Sequence, residues 1–167
     1  MMTKLRYTIL GFAVLFAALS TAQAEPKVGD KFGSWLFECQ ALAANKTACV
    51  LSQTLVQSEN KQRVLRVSLN KLESSNELQL VAVAPLGIYL PFGVNGKVDD
   101  KLDIPLVLQA CAQQGCVATS TLKGKVLKAL KSGSNLEISF SGNLQSDPIV
   151  LNVSLDGLAE GVDTLGL

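Results

Sequence analysis

Three stretches of the chain alternate apolar and polar residues with a period of two. Leu65, Val67 and Leu69 fall on one face of the first, with Arg66, Ser68 and Asn70 on the other. In the second, Leu136, Ile138 and Phe140 oppose Glu137, Ser139 and Ser141. The third sets Ile149, Leu151, Val153 and Leu155 against Val150, Asn152 and Ser154. This period predicts strands with one buried and one wet face. Trp35, Phe37 and Cys39 share a face in the same way, which points to a core role for the single tryptophan, packed near a disulfide. Segments starting at Cys49 and Cys116 are rich in β-branched residues and read as further strands.

The run LQLVAVAPLGIYLPFGV, from Leu78, is apolar at nearly every position. It predicts central strands buried on both faces and broken at Pro85-Leu86-Gly87. The competing reading makes Tyr89 and Phe92 an exposed recognition patch. Turn signals fall at Ser74-Ser75-Asn76, Asn95-Gly96, Ser141-Gly142-Asn143 and Asp147-Pro148. Short strands punctuated this regularly predict a sandwich or a barrel, and the all-β antiparallel β-sandwich is the preferred form. One segment has a helical stripe, Val126, Leu127 and Leu130, with Ser120 or Thr121 as cap and Gly133 as stop. Its lysines, Lys125 and Lys128 among them, are candidate binding residues, although solvated lysines on a surface helix are the commoner case. The segment after Asp156 is a second short helix or a docking tail.

The N-terminus changes the setting of this domain. Lys4 and Arg6 precede an uncharged, mostly apolar run, Tyr7–Leu19, and then the small-x-small signal Ala22-Gln23-Ala24. This is the pattern of a secretory signal peptide over residues 1–24, cut between Ala24 and Glu25, leaving one domain over residues 25–167. The apolar run is too short to span a bilayer, which takes ~20 residues, and no later segment qualifies. The expected location is therefore periplasmic, or secreted to the outer surface. Loss of Lys4 and Arg6 lowers the basic count from 15 to 13 against 14 acidic residues, so the net charge moves from +1 to −1. That balance gives no reason to expect nucleic acid as a partner.

Export bears on the four cysteines. An even number in an oxidising compartment reads as disulfides, and four allow three pairings. Sequence order favours the local ones, Cys39 with Cys49 and Cys111 with Cys116. The first spacing is too wide for a zinc site and the chain has no histidine. Neither pair is a C-x-x-C redox motif.

Candidate chemistry is sparse. Without histidine the usual hydrolase triad is absent, and serines and lysines are scattered over loops and wet strand faces, so no serine nucleophile is expected. Asp99, Asp100 and Asp103 supply too few oxygens for calcium and read as a solvated turn. Paired carboxylates for glycan cleavage have no local signature. No cofactor, no metal and no catalytic residue is expected.

Several segments occur together in an order that resembles one known family. They are GDKFGSWLFEC, Cys49, APLGIYLPFGV with an aspartate shortly after, CAQQGCVA, VLKALKSG and VSLDGL. Over about residues 30–165 the chain is similar to the invasion associated locus B protein family. Trp35, the four cysteines, Pro85-Leu86-Gly87, Asp99, Gly133 and the Ser154-Leu155-x-Gly157 end match its pattern. The resemblance implies a bacterial, exported β-sandwich with two local disulfides. It carries over no catalytic set, and the family also occurs in bacteria that invade nothing. The resulting expectation is a non-enzymatic binding module, with a contribution to host-cell invasion implied by the resemblance. Its partner would be a protein of the envelope or of a host surface. The rivals are a periplasmic accessory or chaperone-like protein and a carboxylate-dependent glycan-acting enzyme.

Overall fold

The computed structural model describes residues 26–43, 46–75 and 77–166. The expected signal peptide and its cut between Ala24 and Glu25 lie outside the described residues. Eleven strands and two helices follow in the order β1 (Lys31–Phe32), β2 (Trp35–Ala43), β3 (Lys46–Val56), β4 (Arg63–Lys71), β5 (Leu78–Ala84), β6 (Asn95–Val98), β7 (Leu102–Pro105), β8 (Val107–Ala112), β9 (Gly115–Leu122), α1 (Gly124–Ser132), β10 (Asn135–Phe140), β11 (Ile149–Ser154) and α2 (Leu158–Asp163). The strands form two antiparallel sheets, ordered β1-β2-β3-β4-β5-β9-β8 and β11-β10-β6-β7. The all-β sandwich with two short helices is the expected architecture.

The core is the set of inward residues that the alternation marks. Trp35, Leu51, Leu65, Val67, Leu69, Leu80 and Ala118 of the larger sheet are fully buried, as are Leu136, Ile138 and Val153 of the smaller one. Leu130 of α1 and Leu158 and Val162 of α2 complete it. Both cystines join residues directly opposite in a hairpin, Cys39–Cys49 across β2–β3 and Cys111–Cys116 across β8–β9.

Backbone contacts fix the corners. Gly33 and Gly157 have φ of +53° and +78°, and a Cβ on Gly157 would lie 2.2 Å from the Phe32 backbone. This close approach brings the β1–β2 turn onto the turn leading into α2, where Ser34 N–H donates to the Asp156 carbonyl at 3.1 Å. The Trp35 indole is buried, its N–H donating to the Ser154 carbonyl at 3.0 Å. Cys39, further along the same strand, is partly buried against the core.

Three expectations need correction. Only Leu78–Ala84 of the apolar run is a strand; Pro85–Val94 is a surface loop, with Ile88 and Val94 buried and Leu86, Leu90 and Phe92 exposed. Two prolines and two left-handed glycines, Gly87 and Gly93, oppose regular pairing there. Asn95-Gly96 is strand, not turn. Gly96 lies between Ile138 and Ile104, and a Cβ would meet Ile104 Cβ at 3.2 Å, so close approach explains the glycine. Ser120 and Thr121 belong to β9 and pair with Leu80 and Gln79 of β5, and α1 starts after Lys123 with no side-chain cap. Gly133 does end the helix, its N–H donating to the Ala129 carbonyl at 2.7 Å.

The acidic cluster is structural. Asp99 and Asp100 occupy the β6–β7 turn with φ of 47° and 55°, closed by Lys101 N–H to the Val98 carbonyl at 2.9 Å. Asn and Asp tolerate this conformation better than bulkier residues. The Asp99 carboxylate accepts from Ser134 N–H at 3.0 Å and Asn135 N–H at 2.9 Å. It thereby satisfies backbone donors at the start of β10. A Cβ on Gly133 would lie 2.9 Å from that carboxylate, so the helix stop and the aspartate are one arrangement.

Candidate binding surface

Beyond the Ile149 end of β11, the Pro85–Val94 loop faces the turn 141–148. Ile88 and Val94 anchor the loop in the core. Tyr89 N–H donates to the Ser141 carbonyl at 2.7 Å, tying the loop to the end of β10. Asn95 Nδ2 donates to the Phe92 carbonyl at 3.2 Å. Across the gap, the buried Ser141 hydroxyl donates to the Asn143 carbonyl at 2.6 Å, and Asn143 Oδ1 accepts from Gln145 and Ser146 N–H groups at 2.8 Å each. These bonds stiffen a turn that has no regular pairing.

Between loop and turn lies a cavity of about 330 Å³ edged by Tyr89, Pro91, Phe92, Leu144 and Pro148, with polar groups from Ser141, Asn143 and Ser146. Leu144 is 78% exposed and Phe92 38%. Apolar side chains gathered around a concavity, with a few polar groups, form the kind of surface that binds. Of the residues singled out in the sequence, Tyr89 and Phe92 come together here. Lys125 and Lys128 do not line the cavity; they are exposed on α1 and enter no ion pair among the described residues. Leu144 and Pro148 were not foreseen. A lone leucine in the polar stretch SGNLQSDP is the signal that marks them.

The other three concavities are each lined in part by charged side chains. A groove of about 430 Å³ runs past Gln62, Arg63 and Gln114, where Arg63 donates to the Gln114 carbonyl. On the outer face of the larger sheet, Glu38 pairs with Arg66 at 2.6 Å and accepts from the Ser52 hydroxyl at 2.6 Å. A third, of about 390 Å³, includes Cys49, Glu73 and Leu165. None of these four cavities is lined by two carboxylates. Three Ser-x-x-Lys spacings occur. Ser58 and Lys61 stand in an exposed turn; Ser68 and Lys71 fall on opposite faces of β4, with Lys71 donating to the Gly166 carbonyl; and Lys123, which follows Ser120, is paired with Glu77 at 2.8 Å. No group of three or more metal-ligating side chains is present among the described residues, and none of their helices is long and apolar enough to cross a membrane.

Comparison with known proteins places the fold and the family. Two invasion protein B homologs of Brucella abortus, from strain 2308 and from biovar 1 strain 9-941, are each 29% identical to the chain, with 95% of both sequences covered. The crystal structure of invasion associated protein B from Bartonella henselae superposes with a TM-score of 0.71 at 21% identity, covering 81% of this chain and 92% of that one. That likeness shows the fold. The family model for the invasion associated locus B (IalB) protein matches residues 35–166, from Trp35 through the cystines, the Asp99 turn and α2. The chain belongs to the IalB family.

Proposed function

We propose that the chain is exported after cleavage between Ala24 and Glu25 and acts in the envelope, or at the outer surface, as a non-enzymatic protein-binding module. The observation that carries this reading is the apolar concavity edged by Phe92 and Leu144. Two disulfides support the exported setting, since they persist where thiols are oxidised. The family's name supports a contribution to host-cell invasion, and the partner is then a protein of the envelope or of a host surface. A periplasmic accessory role is the second reading, favoured by the free strand edge beside the cavity.

Magnitudes limit what the cavity does alone. Fully burying Phe92 and Leu144 contributes about 1.5–3 kcal/mol each. Their sum falls short of the ~8 kcal/mol of a micromolar complex before any ordering cost is counted. A specific partner therefore needs contacts beyond the cavity.

The test is crosslinking of the exported protein in growing cells and during host contact, with wild-type and Leu144→Glu chains. The proposal expects protein adducts that Leu144→Glu removes. Envelope adducts in both conditions would select the accessory role, and a host-surface adduct only on contact would select invasion. An adduct set unchanged by the substitution would overturn the surface assignment.

A further inference from the structure

We propose that the free edge of β11 accepts an extended strand of a partner protein, with basic residues flanking the pairing segment. This rests on the binding-module reading and names the partner's chemistry.

The backbone hydrogen bonds show which residues of β11 face outward. Asn135 and Ser154 are cross-strand neighbours, yet Asn135 bonds away from β11, to Asp99, through both its N–H and its carbonyl. Ser154 likewise bonds away from β10. Its carbonyl accepts from Trp35 Nε1 and Gln53 Nε2, and its N–H donates to Gln53 Oε1. The Gln53 amide thus occupies one position of a missing strand. Alternation in an antiparallel pair then turns the N–H and carbonyl groups of Asn152 and Val150 outward as well. Neither backbone is hydrogen-bonded to another element among the described residues.

Other edges are guarded. β7 is short, with Asp103 and Pro105; β8 carries a bulge, and its Val107 carbonyl accepts from Gln109 Nε2; β2 is bulged between Ala41 and Ala43. Bulges, prolines and charges are how edges are kept from pairing. β11 has none of them between Ile149 and Ser154, and Ile149 and Val150 are about half exposed. Its Ile149 end leads into the cavity at Pro148, so one extended segment can pair with the edge and place a side chain beside Phe92.

Charge selects the occupant. No lysine or arginine follows Lys131, whereas Glu137, Asp147, Asp156, Glu160 and Asp163 do. Asp147 and Asp156 flank β11, and Glu137 is the cross-strand neighbour of Asn152. The nearest cation across this sheet, Lys97, lies opposite Glu137 one strand further in. A second copy would set the same carboxylates against one another, whereas a basic segment complements them.

The test is backbone amide exchange on the purified chain with its disulfides intact. The probe is a short capped peptide of alternating valine and lysine. Saturating peptide is expected to slow exchange at Val150 and Asn152 about tenfold or more. Replacing its lysines by glutamate should weaken binding about tenfold or more. Val150→Pro removes an outward N–H and no bond to β10, so it should keep the fold and abolish protection at Asn152, the outward amide that remains; Asn152→Lys, which guards the edge by charge, should abolish protection at Val150. Protection confined to the loop 85–94 would sink the edge assignment and leave the binding-module reading standing. Absence of binding, equal binding of the glutamate peptide, or protection that grows with protein concentration without peptide would each overturn the proposal.

Discussion

Two positions hold the corners of the fold by different means. Gly157 has no room for a Cβ against Phe32, and its φ is left-handed. Gly157→Ala is expected to destabilise by about 2–5 kcal/mol through strain and overpacking, measured by urea unfolding. A change under about 0.5 kcal/mol, the size of an ordinary surface substitution, would contradict the close approach. Asp99 acts through hydrogen bonds. Asp99→Ala leaves the Ser134 and Asn135 N–H groups without their acceptor and should cost about 1–3 kcal/mol. The acidic cluster was legible as a turn, but its partners were not, because they lie 35 and 36 residues away.

Among the elements, strands with clean alternation were legible and segments shaped by tertiary packing were not. β4, β10 and most of β11 follow their pattern because one face meets the core. Hydropathy alone could not separate β5 from the loop after it, since both are apolar; the prolines and left-handed glycines decide. α1 lost the expected cap because β5 claims Ser120 and Thr121 as sheet partners. Lys123, the residue before α1, instead pairs with Glu77 at 2.8 Å. The hydrogen bond from Lys123 holds the Glu77 carboxyl below its usual range. A depressed carboxyl stabilises the fold above its unfolded pKa, and that contribution is lost as pH falls through the folded value. The stability gap between wild type and Glu77→Gln should be present near neutral pH and close in acid. A gap that is constant or grows in acid would contradict the pairing. The disulfides belong to this scale too. Opening either hairpin by Cys→Ser pairs should cost about 2–3 kcal/mol, and thiol labelling of the native protein should find no free cysteine.

For the whole molecule, charge and apolar surface are unevenly distributed. The chain after Lys131 holds only acidic charges, together with β11 and the turn bearing Leu144. Fold and cystine pairing were largely readable from periodicity, cysteine order and family resemblance. Half of the proposed binding surface was readable: Tyr89 and Phe92 stood out by composition, whereas Leu144 joins them only through the return of the chain after β10.

The measurement that bears most directly on that surface is position-specific photo-crosslinking in living cells. One crosslinker replaces Leu144 in the 141–148 turn and a second replaces Lys97, on the polar outer row of the smaller sheet between Asp103 and Glu137. The account predicts a discrete protein adduct from position 144 and none from position 97. Equal adducts from both, or none from position 144, would contradict it.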